Sequence, residues 1–130
     1  TKLLSGCIKA FLVGGIICCI GQGINMAARY FLLLDTTAAG TLTTLVLVFL
    51  GATLTGLGVY DDLGRFAGGG SIVPITGFAN SIVSPAMEHK REGYILGIGS
   101  NMFKVAGPVI VNGVSASVIY GIIRYIIGLF

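Results

Sequence analysis

Charged residues are scarce in this sequence, and the scarcity excludes most classes of soluble protein. Only 10% of the 130 residues are charged and 55% are hydrophobic, and the mean hydropathy is +0.96. A soluble domain ordinarily has about 25% charged residues. The composition therefore excludes a soluble enzyme, a nucleic-acid-binding protein and a disordered protein, and it predicts an integral membrane protein. We read the net charge of +3 as no sign of a nucleic-acid partner.

The alternation of apolar and polar residues that a membrane β-strand needs over about ten residues is missing. Uncharged runs of helical length follow one another instead, and crossing the hydrocarbon core takes about 20 helical residues. We therefore predict an all-α protein with one transmembrane domain, 1–130, and about four membrane segments: 8–28, 38–60, 66–87 and 94–128. No signal-peptide cleavage pattern follows the first run, and because the sequence begins with Thr1 we expect the natural start upstream.

Patterns for catalysis and metal binding are absent as well. The three cysteines, Cys7, Cys18 and Cys19, lack CxxC spacing, and the single histidine, His89, lies in a charged loop without a second ligand. No acid–base pair falls inside an apolar run. We expect that the protein is not an enzyme and that it binds neither a metal nor a cofactor.

The third run contains residues that no smooth helix favours. Gly68, Gly69 and Gly70 are consecutive, and Pro74 follows them. Each glycine costs about 1 kcal/mol relative to alanine in a helix, and proline removes a backbone donor. Such a break is tolerated only where the backbone is buried in protein or lines a watery cavity. The run predicts either two half-helices or a re-entrant hairpin.

The fourth run carries a cation at membrane depth. Tyr94 to Phe103 is too short to cross a bilayer, Lys104 follows, and Gly107 and Pro108 come directly behind. A lysine at depth is costly unless it faces a cavity, finds a partner or reaches the interface. Residues 94–128 are therefore either one long helix with a buried lysine or a helix broken near Gly107 and Pro108, and we favour the break.

Small residues recur four apart in the first and last runs, which indicates helix packing. Gly14 and Cys18 lie on one face of the first helix, and Gly113, Ser117 and Gly121 lie on one face of the last. Small residues let membrane helices approach closely. The pattern favours a packed bundle or an oligomer.

Polar residues inside the apolar runs are the candidates for a solute path. These residues are Lys104, Asn101, Asn80, Thr76, Ser81 and Arg65. Cations together with the amino ends of half-helices attract anions. We expect the path to suit an anionic or carbonyl-rich solute, with Gly68, Gly69, Gly70, Pro74, Gly107 and Pro108 as candidate gate or helix-break residues.

Several of these segments resemble one family in order along nearly the whole chain. They are Tyr60-Asp61, the block FAGGGS from Phe66, VPITGFANS from Val73, Glu92-Gly93 and NMFK ending at Lys104. These blocks resemble the SpoVAC/SpoVAEb family of sporulation membrane proteins, and the FANS and NMFK blocks favour its AC type.

The resemblance implies a function that composition alone does not give. It implies a channel subunit in the inner membrane of the forespore that moves dipicolinic acid, or calcium dipicolinate, in sporulation and germination, and that responds to membrane tension. It also implies a lipid-bilayer environment and partner subunits like SpoVAEb and like the soluble SpoVAD and SpoVAEa. The alternative is a non-conducting scaffold or assembly subunit of the same complex. A small multidrug-type exporter is disfavoured because Ala10 to Ala28 contains no carboxylate.

Overall fold

The computed structural model describes residues 2–129, which are almost entirely helical and contain no strand. The six α-helices of this part are α1 (Lys2–Phe31), α2 (Thr36–Gly56), α3 (Val59–Ala67), α4 (Gly69–Ile72), α5 (Ile75–Glu88) and α6 (Ala106–Leu129). A 3₁₀ turn (Lys90–Glu92) and a π-helical segment (Tyr94–Gly99) join α5 to α6. The predicted all-α membrane class, with broken helices in its second half, is confirmed.

Three of these helices, α1, α2 and α6, are long and apolar enough to cross a membrane. The loop between α1 and α2 is short, so the two helices pack antiparallel. Asp35 begins α2 by accepting a hydrogen bond from the Ala38 N–H at 3.1 Å, as helix N-caps commonly do. Further along, a Cβ on Gly21 would lie 3.3 Å from the Leu47 side chain, so glycine here allows a close approach.

The remaining membrane segment does not cross. The Thr76 carbonyl lies beside Gly51, and the Asn80 side chain contacts Thr55. Further along, Ser84 lines a common pocket with Gly56 at the end of α2. Residue numbers rise together along both helices, so α5 runs parallel to α2 and returns to the face at which α2 ends. Residues 59–88 therefore form a re-entrant hairpin, which we call the hairpin from here on.

Backbone geometry at two residues explains the turns of the hairpin. Gly68 has φ 53° and ψ −124°, a conformation that favours glycine because it has no Cβ. Pro74 has ψ 166° and begins α5, since proline cannot continue the preceding turn. Gly51 lies five residues before the end of α2, a distance of about 7.5 Å at 1.5 Å per residue. Because Thr76 packs beside Gly51, Thr76 lies about 7.5 Å further into the bundle than the end of α2.

The chain breaks again before α6. Residues 102–105 are turns, and α6 begins at Ala106, so Pro108 falls in its first turn, where the missing N–H is not needed. Beyond Gly107, every described residue of α6 is exposed. The last helix therefore leaves the bundle at its first turn and contacts the rest of the chain mainly through α5.

Candidate functional site

A cleft of about 530 Å³, apolar over most of its surface but lined by six polar side chains, opens between the two arms of the hairpin. Its polar side chains come from α3 and α5, and the rest of the lining is Gly64, Ile72, Gly77, Pro85 and Val105. The lining residues with polar side chains are Tyr60, Asp61, Arg65, Asn80, Ser81 and Ser84. In a chain covered mostly by apolar side chains, this concentration of polar groups marks the candidate site, which we call the cleft.

Tyr60 forms the inner wall of the cleft. Its side chain is 2% exposed, and its hydroxyl lies 2.7 Å from the Ser71 carbonyl and 2.8 Å from the Thr76 hydroxyl. A phenol has one proton, so Tyr60 donates to the Ser71 carbonyl and accepts from Thr76. The same ring also lines a smaller apolar cavity of about 80 Å³ among α1 and α2. Tyr60 thus separates the cleft from the interior of the bundle.

The buried polar side chains beneath the cleft are all paired. Ser71 is fully buried, and its hydroxyl donates to the Gly68 carbonyl at 3.1 Å. Within residues 2–129, no buried side-chain nitrogen or oxygen lacks a hydrogen-bond partner. Because an unpaired polar group in an apolar interior costs several kcal/mol, this pairing holds the break of the hairpin in one arrangement.

Asn80 connects the cleft to α2. The Thr55 hydroxyl lies 2.6 Å from the Gly51 carbonyl and 2.9 Å from the Asn80 side-chain amide. Since a hydroxyl has one proton, it donates to only one of them at a time. In either orientation of the amide, at least one N–H of Asn80 stays free to donate into the cleft.

Two opposite charges line the cleft on one face of α3. Asp61 and Arg65 are four residues apart, a spacing that places both side chains on one face of a helix, and both line the cleft. Asp61, Asp62 and Arg65 are all exposed, but Asp62 does not line the cleft. The cleft therefore presents a guanidinium and a carboxylate to whatever enters it, opposite the amide and hydroxyls of α5.

The structure gathers some of the predicted solute-path residues and separates others. Arg65, Asn80 and Ser81 line the cleft, and Thr76 holds its wall through Tyr60. Lys104 is exposed in the turn before α6, and only its neighbour Val105 reaches the cleft. Asn101 donates to the Gly97 carbonyl at 2.8 Å, within its own segment.

Only some of the glycines and other small residues predicted for helix packing or for the helix break make close contacts. A Cβ on Gly70 would lie 2.6 Å from the Ala10 Cα, and one on Gly14 would lie 3.3 Å from the Gly70 carbonyl, so α1 and α4 touch backbone to backbone. A Cβ on Gly69 would meet nothing within 4 Å. The other predicted small residues are exposed: Cys18, Gly113, Ser117 and Gly121.

Sequence reasoning missed the residues that hold the wall. Tyr60 reads in the sequence as an interfacial anchor, and Thr55 and Ser71 attract no attention among the apolar residues around them. One signal was available, because a tyrosine directly before a predicted helix break needs a partner for its hydroxyl if it is buried. The predicted break near Gly68 and Pro74 therefore indicated the position of the site better than the charge of Lys104 did.

Comparisons with known proteins agree on the relatives of this chain. The family model described as "SpoVAC/SpoVAEB sporulation membrane protein" matches residues 6–123. Stage V sporulation protein AC of Bacillus subtilis (strain 168) is 54% identical over 119 residues, which cover 92% of this chain and 79% of that protein. No solved structure matches the chain.

Proposed function

The chain belongs to the SpoVAC/SpoVAEB family of sporulation membrane proteins, and from this premise we propose that it is a channel subunit that moves dipicolinic acid as its calcium chelate. The membrane is proposed to be the inner membrane of the forespore. One observation carries the proposal: the cleft, with a guanidinium, an amide and hydroxyls, forms where a re-entrant hairpin breaks. The break packs on Ala10 and Gly14 of α1, near the edge of the hydrocarbon layer, and irregular backbone is tolerated there where it lines a cavity.

The lining suits the calcium chelate better than the free dianion. Arg65, Asn80 and Ser81 can donate hydrogen bonds to carboxylate oxygens. Asp61, which also lines the cleft, would repel a free dianion. The one-to-one chelate carries no net charge, and its calcium accepts oxygen ligands such as a carboxylate. A lining with both signs of charge therefore favours a solute that presents both.

Opening requires movement of the hairpin and no chemical step. Tyr60 closes the cleft towards the interior, and the contact of α4 with α1 at Gly14 and Gly70 has no interlocking side chains. In the proposed open state this contact shifts and Tyr60 gives up its hydrogen bonds to Ser71 and Thr76, so the open state is the less stable one, and membrane tension or a partner subunit that favours it raises its population. We propose that this shift withdraws Tyr60 and opens the path.

Assembly with other subunits completes the proposal. The exposed α6 and the closed inner wall of the cleft favour a path completed between copies of this chain or with SpoVAEb-like subunits, with SpoVAD- and SpoVAEa-like proteins at the surface. As a channel subunit the protein needs no catalytic group, and we propose that it is not an enzyme.

Flux of dipicolinate from liposomes that contain the purified protein tests the proposal. Arg65→Gln removes the cleft's cation and should lower tension-activated efflux several-fold. Arg29→Gln removes an exposed cation from the last turn of α1 and should leave efflux unchanged. Equal efflux from both variants would contradict the assignment of the cleft.

A scaffold role is the second candidate, and one observation favours it. Tyr60 closes the cleft, and the cavity behind it is small and apolar. If the protein alone gives no current under tension, and current appears only with a partner subunit whose own pore residues set the selectivity, the scaffold is correct.

A further inference from the structure

A second cavity, of about 440 Å³, lies between the first turns of α1 and the end of α3. Its walls are mostly apolar. Gly68, the turn residue between α3 and α4 that we call the hinge of the hairpin, forms part of the lining. The lining residues are Leu3, Gly6, Cys7, Ala10, Arg65, Phe66, Ala67, Gly68 and Gly69. We call this cavity the groove. It is distinct from the cleft, although the Arg65 side chain borders both.

The lining of the groove carries one charge, and it is positive. Arg65 lines it, and the Lys9 Nζ lies 4.7 Å from the centre of the Phe66 ring, within the range of a cation–π contact. None of the nine lining residues is acidic. The groove therefore has apolar walls and one cation in its lining, and a second cation, Lys9, lies beside it over the Phe66 ring.

The position of the groove along α1 places it at the edge of the hydrocarbon layer. The uncharged run of α1, 10–28, has 19 residues and is about 28 Å long at 1.5 Å per residue, close to the ~30 Å thickness of the layer. The groove ends on α1 at Ala10, where that run begins. Lys9 and Arg65 thus lie at the level of the lipid headgroups.

We infer that the groove binds an anionic phospholipid. An acyl chain lies along Leu3, Phe66 and Ala67, and the phosphate is held by Lys9 and Arg65. Apolar walls select a chain, and two cations, with no carboxylate in the lining of the groove, select a negative headgroup. The bound lipid touches Gly68, the hinge of the hairpin, so lipid displaced by membrane tension acts directly on the element that carries the cleft. This binding shares Arg65 with the cleft, but its test measures lipid contact and no flux, so it can fail or succeed independently of the proposed transport function.

Fluorescence quenching by brominated lipids tests the inference, because the chain contains no tryptophan. Phe66→Trp places one reporter in the groove, and Phe49→Trp, on a 70% exposed residue of α2 within an uncharged run, reports ordinary lipid contact. Quenching is compared between vesicles of brominated phosphatidylglycerol and brominated phosphatidylcholine. Circular dichroism checks that each variant keeps its helices.

Each cation near a membrane surface favours an anionic lipid about five-fold. The Phe66→Trp protein should therefore prefer phosphatidylglycerol by five-fold or more, and Phe49→Trp should show no preference. Adding Lys9→Gln and Arg65→Gln should abolish the preference, while Arg65→Lys should keep most of it. Equal quenching of Phe66→Trp by the two lipids, or a preference that survives loss of both cations, would overturn the inference.

Discussion

In the proposed mechanism, the contacts of Tyr60 decide whether the cleft is open or closed. Tyr60→Phe keeps the ring and removes the hydroxyl that joins Ser71 and Thr76. Leaving the buried Ser71 carbonyl without its donor should lower the free energy of unfolding by about 1–3 kcal/mol, and the looser wall should raise basal dipicolinate leakage from liposomes. Tyr30→Phe is the matched control, because Tyr30 is 79% exposed. Unchanged stability and leakage in Tyr60→Phe would contradict this role.

A second pair of single-residue variants, at Asp61 and Asp62, tests whether the solute is the calcium chelate or the free dianion. Asp61→Asn removes a charge that lines the cleft, and Asp62→Asn removes one that does not. Because a carboxylate attracts bound calcium and repels free dipicolinate, Asp61→Asn should lower the ratio of efflux with calcium to efflux without it several-fold. Efflux assays at matched dipicolinate concentrations give this ratio, and Asp62→Asn should keep the wild-type value. A shift as large in Asp62→Asn would exclude a direct role for Asp61.

The contact between α1 and α4 is the feature that matters at the scale of elements. Gly70→Ala would push a methyl group into the backbone of Ala10, whereas Gly69→Ala would meet nothing within 4 Å. Overpacking of this kind typically costs 1–3 kcal/mol, so Gly70→Ala should lower the thermal midpoint in detergent. It should also lower the tension needed for opening, because it separates the two helices.

The adjacent variant provides the comparison for this prediction. Gly69→Ala replaces a glycine with a better helix former in open space, so its thermal midpoint should equal or exceed that of the wild type. Similar destabilisation by both alanines would mean that helix propensity, and not the contact with Ala10, sets the effect.

The elements also show how far sequence reasoning reached. The position of the first break followed from Gly68 and Pro74, because few other residues disfavour a helix so strongly. Whether the chain crosses the membrane after this break or turns back could not be predicted. That choice depends on how α5 packs against Gly51 and Thr55 of α2, and those contacts join residues 25 positions apart. Lys104 stood out in the sequence by its charge alone, yet it lies outside the cleft, since charge does not determine which way a turn faces.

At the scale of the whole molecule, the re-entrant hairpin determines how the cations are distributed. The hairpin begins and ends on the face where α1 starts, and α6 begins there as well. Six of the eight lysines and arginines therefore lie on that face or in the hairpin, and two lie towards the other. The first group is Lys2, Lys9, Arg65, Lys90, Arg91 and Lys104, and the second is Arg29 and Arg124.

This distribution predicts the orientation. Lysine and arginine accumulate on the cytoplasmic side of membrane proteins, so the start of α1 should face the cytoplasm and the end of α6 the opposite side. Reporter fusions at the two ends should give cytoplasmic and non-cytoplasmic signals respectively. Signals from one side at both ends would mean that α6 does not cross.

Accessibility of the cleft to water is the most direct test of the account. With the three native cysteines replaced, Ser81→Cys should react with a membrane-impermeant thiol reagent applied from the face that carries Lys90 and Arg91, and not from the other face. Dipicolinate with calcium should slow the reaction, and Val118→Cys, on the exposed surface of α6, should not react from either face. A thiol at position 81 that stays sealed from both faces would contradict a water-filled cleft in the hairpin.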